Sequence, residues 1–339
     1  MMSQFEKILL IILISIFGIF PPFAYLMLSN ISAEFSTVAQ DILLSENGAI
    51  FISSSAFEQL AAILTAFVVK PIYTILALFI AVFLWKKNEI ELKALKWSMI
   101  FFFLGENFCA ANFLFTENHD SHMLEYLHSL GMALSFGFAT YALIEGIDQN
   151  ALRYSEPKKT CSLTNFCRQC HKYENVSCGL QSFFIFMGIA GAIVALMPLS
   201  AEFHLVSYNT KIWGTLYNYN HPIVYQLVEV RYYPFLAAAL FLAASLTLWF
   251  KRENPLQPSK LLFAAALGVM GFSFFRFIVF HGFRTKLVWM DFWEEVTEFV
   301  YVMAVILMLW IFRNQLFLKN NKPRVTTDLP ANIFRSSSV

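Results

Sequence analysis

Apolar stretches of about twenty residues recur along the chain, and that recurrence leaves few folds open. A helix needs about 20 mostly apolar residues to cross a hydrocarbon core about 30 Å thick. Eight stretches meet that length, at 8–28, 66–85, 97–115, 126–144, 182–200, 232–250, 261–283 and 292–312. They are too long for barrel strands, so the expected fold is all-α: a polytopic integral membrane protein with eight transmembrane helices. Composition agrees. With 58% hydrophobic and 14% charged residues, the chain lacks the charge to coat a soluble surface of this size. A net charge of +1 gives no electrostatic case for binding nucleic acid. The expected partner of most of the surface is the lipid bilayer.

Lys and Arg in the connecting segments orient such a bundle. Lys86, Lys87, Lys93 and Lys96 follow the second stretch, and Arg153, Lys158, Lys159, Arg168 and Lys172 follow the fourth. Lys251, Arg252 and Lys260 follow the sixth, and the tail carries Arg313, Lys319, Lys322 and Arg324. Segments 29–55 and 116–125 have neither residue, and the long loop after the fifth stretch, which holds His204 and His221, has only Lys211 and Arg231. Every second loop is therefore basic, apart from mild dissent by Arg284 and Lys286 in the seventh. This places both termini in the cytoplasm of a multi-pass protein, expected in a bacterial or archaeal cell membrane. The first stretch reads as an anchor, because Pro21-Pro22 interrupts it and no A-x-A-like site follows. The second is interrupted by Lys70-Pro71, so its first part is a candidate for the interface. The organisation expected is helices 1–4 in 1–145, a cytoplasmic Cys-rich loop in 146–181, helices 5–8 in 182–317, and a disordered tail in 318–339.

Four of the five cysteines fall in that loop as C-x5-C-x2-C-x7-C: Cys161, Cys167, Cys170 and Cys178. Thiolates packed so closely share a metal or disulfides, and a reducing cytoplasm disfavours stable disulfides. Zinc sites usually pair two C-x2-C knuckles, and only one is present. The irregular outer spacings suit an iron–sulfur cluster better, with zinc as the alternative. Cys167-Arg-Gln-Cys170-His171 also spells a c-type haem attachment pattern, but that leaves Cys161 and Cys178 unused, and the basic flanks put the loop on the wrong side.

A second polar set lies towards the opposite side of the membrane. Ionisable groups inside spans are costly and face the bundle interior. The third stretch carries Glu106, the seventh Arg276 and His281, and the fourth opens with Glu125-x-x-His128, a spacing that shares one helix face. The eighth opens with Asp291, Glu294, Glu295 and Glu298, an acidic stripe at helical spacing. These acids either pair with Arg276 and Arg284 or hold a divalent metal together with Glu106, His128 and His281. The candidate catalytic residues are Glu106, His128, Arg276 and His281. The candidate outer metal ligands are Glu125, His128, Glu295 and Glu298. His128 and His281 are also candidate ligands of one outer haem.

Two functions follow as expectations. One is a membrane redox or electron-transfer protein, with a cytoplasmic iron–sulfur or zinc site and an outer cavity for a metal, haem or quinone, working with an electron donor or acceptor protein. The other is an ion- or proton-coupled transporter with a structural zinc loop. The first needs a carrier across about 30 Å between loop and cavity, and the sequence shows none.

Overall fold

The computed structural model describes residues 54–115, 121–149, 179–200, 207–220, 228–250, 256–283 and 287–313, with short pieces between 5 and 51. The described chain is mostly helical. Helix α1 is Ala56–Phe83, α2 Ile90–Phe115, α3 His122–Ile147, α4 Gly179–Ala195, α5 Val228–Trp249, α6 Leu256–Phe283 and α7 Leu287–Ile311. Five are long and apolar enough to cross a membrane: α1, α3, α4 with the short 3₁₀ turn after it, α5 and α6. The 26-residue α2 and 25-residue α7 match them in length, but carry Glu106 and the acidic stripe. The apolar stretch at 8–28 and the tail at 318–339 lie outside the described residues, apart from a few positions in the former.

Packing follows the apolar faces. Helix α2 lies along α3, α3 along α6, α6 along α5 and α5 along α4. Helix α7 touches both α1 and α6, and α1 touches α2, so α1, α2, α3, α6 and α7 are neighbours around a closed ring. Large apolar side chains such as Phe67, Ile75, Phe79, Phe186 and Ile193 are exposed on α1 and α4. A soluble monomer rarely exposes so much apolar surface, and a bilayer would cover it.

Glycines set the closest approach. A Cβ on Gly131 of α3 would stand 2.8 Å from the Cα of Gly105 in α2. Small residues at such crossings let two backbones touch, which is how helices associate where lipid removes the hydrophobic drive. The residues beside this crossing, Glu106 and His128, are thereby fixed relative to each other.

Helix α1 departs from expectation. Lys70-Pro71 does not break it. A π-helical turn, Thr65–Val69, precedes the α-helical part Lys70–Phe83, with Pro71 in its first turn. The wider π turn lets the helix continue past the proline ring and its missing N–H. Helix α5 repeats the device, with a π turn at Val228–Tyr232 and Pro234 at the start of the following α-helical part. Lys260, counted above with the loop cations, instead lies buried in the first turns of α6.

Segment 201–231, expected as a long loop, contains a hairpin. Strands β1 (Leu43–Leu44), β2 (Ile50–Phe51), β3 (Ser207–Ile212) and β4 (Thr215–Asn220) form one sheet in that order. Trp213 and Gly214 make the β3–β4 turn, both with positive φ (52° and 82°), as a two-residue hairpin favours. The Trp213 backbone N–H donates to Gln59 Oε1 at 2.9 Å, tying the hairpin to the start of α1.

Candidate functional site

Nine titratable side chains converge from six helices. Helix α1 supplies Lys70 and Tyr73, α2 Glu106, α3 His128, α6 Arg276, and α7 Glu294, Glu295 and Glu298. The π turn of α5 adds Glu229, buried against α6. Each π turn thus places one charge here, Lys70 just after the first and Glu229 within the second.

Arg276 is shared among three carboxyls. Its Nε lies 3.3 Å from Glu229 Oε2, Nη1 meets Glu294 Oε1, and Nη2 donates to Glu298 Oε1 at 2.7 Å. The guanidinium also lies over the Phe272 ring, 5.1 Å from its centroid. Lys70 Nζ lies 2.7 Å from Glu295 Oε1 and 3.0 Å from Glu106 Oε2, with Cys109 Sγ at 3.7 Å. One cation thus binds each side of the acidic set.

Tyr73 stands between the two sides. Its hydroxyl oxygen is 2.8 Å from Glu106 Oε2, 2.8 Å from Glu298 Oε2, and in contact with Glu295 Oε2. A phenol has one hydrogen to donate and an ionised carboxylate has none. Three such contacts around one hydroxyl need at least one carboxyl to bring a hydrogen of its own. Charge counting points the same way. Five carboxyls face one Lys and one Arg, in surroundings that leave Glu106 1% and Arg276 2% exposed. Uncompensated charge is costly at such a depth, which disfavours all five carboxyls being ionised at once.

His128 is oriented by backbone. Its Nδ1 lies 3.0 Å from the Gly105 carbonyl, which can only accept, so Nδ1 carries the proton and Nε2 turns inward. Arg276 Nη2 is 3.4 Å from Nε2. Glu106, His128 and Glu298 each offer a ligand atom within 4.8 Å of the others, the spacing of a metal site. The Arg276 amino group already sits between two of the three, so a metal there displaces it. Glu106 Oε1, buried and without a hydrogen-bond partner, faces His128 Nδ1 at 3.7 Å.

Most of the residues expected from sequence meet here: Glu106, His128, Arg276, Glu295 and Glu298. Glu125 does not join the ion pairs; it accepts a hydrogen bond from Asn112 at 2.6 Å. The acidic stripe pairs with Arg276, as one expectation had it, and also with Lys70. The side chain of His281, and all of Arg284, Cys161, Cys167, Cys170 and Cys178, lie outside the described residues, as do His204 and His221. Sequence reasoning missed Lys70, Tyr73 and Glu229. The available signal is Lys70 itself, a charge within an apolar run.

Access is one-sided. The side chains of Lys70, Glu294 and Glu295 are 16–22% exposed, whereas those of Glu106, Arg276 and Glu298 are at most 4% exposed. The cluster is thus most open at Lys70, Glu294 and Glu295. No family model, curated protein or solved structure matches the chain.

Proposed function

We propose that this chain is an ion- or proton-coupled transporter, and that the buried cluster is its coupling site. In this reading eight helices span the membrane, the two acid-bearing helices α2 and α7 included, and both termini are cytoplasmic. The observation that carries it is the convergence of three carboxyls on the single Tyr73 hydroxyl, a set with too few hydrogens and too few cations unless it binds protons or a cation. Intramembrane ionisable groups mark such paths. Arg276 and Lys70 would serve as tethered cations, holding the acids while the site is empty of its ion and yielding them when the ion arrives. The Cys161, Cys167, Cys170 and Cys178 loop would hold zinc or an iron–sulfur cluster on the cytoplasmic side. The electron-transfer reading rests on that loop, and an outer haem on His128 would need Nε2 to leave the Arg276 guanidinium.

The test uses purified protein in liposomes with a trapped pH dye. A pH gradient or a potassium-diffusion potential is imposed, and Na⁺, K⁺, Mg²⁺ and Ca²⁺ are added in turn. The expected result is a dye response above that of protein-free vesicles, lost in Glu106→Gln and Glu298→Gln at equal protein content. A wild-type response equal to that of empty vesicles under every condition overturns the proposal.

A further inference from the structure

The ring interior holds two more polar layers besides the cluster. In the middle of α2, α3 and α7, three hydroxyls meet. Ser98 Oγ lies 2.7 Å and Ser135 Oγ 2.8 Å from Tyr301 Oη, and the two serine oxygens are 3.4 Å apart. Ser135 Oγ is also 2.8 Å from the Ser98 carbonyl. All three residues are at most 3% exposed. Towards the other end, Lys260 of α6 pairs with Glu145 of α3 at 2.6 Å and with Asp148, just beyond α3, at 2.9 Å, all three buried. Glu91, fully buried, lies in the first turn of α2.

The layers are in line. On α2, Glu91, Ser98 and Glu106 are seven and eight residues apart, two turns each, so they share one face and lie about 10–12 Å apart at 1.5 Å rise per residue. On α3, Ser135 follows His128 by seven, and on α7, Tyr301 follows Glu298 by three. Phe102 lies between the outer and middle layers. The ring of Phe102, one turn from both Ser98 and Glu106, has its centroid 5.5 Å from that of Tyr73 and 5.6 Å from that of Tyr301.

The hydroxyl trio can be hydrogen-bonded in two senses. Ser98 donates to Tyr301, Tyr301 to Ser135 and Ser135 to the Ser98 carbonyl; or Ser135 donates to Tyr301 and Tyr301 to Ser98. A water on the outer side gives Ser98 a proton, Ser98 passes its own to Tyr301 and Tyr301 its own to Ser135, and the hydrogen that Ser135 had directed at the Ser98 carbonyl leaves to a water on the inner side, which converts the first order into the second. Each hydroxyl oxygen on the route gains one O–H bond and gives up one, so nothing is consumed. Along α2 the outer gap, Ser98 to Glu106, is about 12 Å, and along α3 the inner gap, Ser135 to Glu145, is about 15 Å; both need water to bridge them. Ser273, one turn before Arg276 on α6, has a buried Oγ without a hydrogen-bond partner, as a transient water would use.

We infer that Ser98, Ser135 and Tyr301 are the mid-membrane step of a proton path joining the outer cluster to the Lys260, Glu145 and Asp148 cluster, with Phe102 as its barrier. This rests on the proposed coupling function and supplies its route. The trio would also form if its only task were to bind helices together, and the experiment separates the two. In the liposome assay, Tyr301→Phe lowers proton flux at least tenfold, and Ser98→Ala with Ser135→Ala does likewise. Ser98→Thr with Ser135→Thr keeps the hydroxyls and keeps the flux. Phe102→Ala opens the barrier and raises proton leak without added cation. Proton release on adding Na⁺, K⁺, Mg²⁺ or Ca²⁺ in turn to detergent-solubilised Tyr301→Phe stays at the wild-type level, because the outer cluster is intact, and this reading also certifies its fold. Wild-type flux in folded Tyr301→Phe overturns the path while leaving the coupling site standing. No wild-type flux at all fails the coupling reading first.

Discussion

Arg276 is the residue on which the cluster's charge balance turns. Removing it leaves Glu229, Glu294 and Glu298 facing one another at depth. Breaking a buried ion pair by deleting one partner costs about 3–5 kcal/mol, whereas replacing all partners with neutral groups is often close to neutral. Arg276→Met is therefore expected to lower the melting temperature in detergent sharply. Arg276→Met combined with Glu294→Gln and Glu298→Gln is expected to recover more than half of the loss. Equal melting temperatures for wild type and Arg276→Met would show the pairs to be energetically idle. Arg276→Lys is expected to recover little, since an ammonium cannot present the forked donors that reach three carboxyls. Arg276, Glu106 and Glu298 were legible in the sequence because a charge in an apolar run is conspicuous. Their partners were not. Glu229 sits at the border of a polar loop, and Tyr73 looks like any aromatic in a span until three acids are found around it.

At the scale of elements, what hid the site was the irregular helix. Periodicity assumes an unbroken α-helical repeat, and both π turns shift it by one residue just before a proline. In α1 the shift turns Lys70 inward, and in α5 the turn itself carries Glu229. A sequence window reads the same residues as a helix end. The glycine crossing was equally silent, because Gly105 and Gly131 acquire meaning only when α2 and α3 are known to be neighbours. Its weight can be measured. Gly131→Leu is expected to force α2 and α3 apart, costing about 1–3 kcal/mol as overpacking does. It is also expected to abolish dye response, by drawing His128 Nδ1 off the Gly105 carbonyl. Gly179→Ala is the control: nothing lies within 4 Å of its would-be Cβ, and stability there should hold or rise slightly. A melting temperature for Gly131→Leu equal to that of the control would remove the crossing from the account.

For the whole molecule, length and apolarity carried the reading furthest. Five of the eight expected stretches correspond to helices that can span by composition, and the two acid-bearing ones pack among them in the same ring. What no single chain discloses is the ring order, and with it the convergence of α1 and α6 on α7. Sidedness is the remaining consequence of the lysine pattern. If every second loop is cytoplasmic, Cys167 and Cys170 share a compartment with residue 339, while Trp213 in the hairpin faces the other. A fluorescent protein fused after residue 339 is then expected to light up inside cells. A cysteine placed at Trp213 is expected to react with an impermeant maleimide added outside, in a background where Cys109 is the one other cysteine among the described residues and is half-buried at Lys70. The same orientation governs the cysteine loop. Protein purified without oxygen is expected to carry about one zinc, or iron with acid-labile sulfide and a visible band, per chain, lost in Cys167→Ser with Cys170→Ser. Zinc leaves the transporter reading as it stands. Iron with sulfide reopens electron transfer, and the path through Tyr301 would then have to carry the protons that accompany it. Labelling of Trp213→Cys from inside only would invert the topology and place the four cysteines where haem attachment and disulfides are open to them.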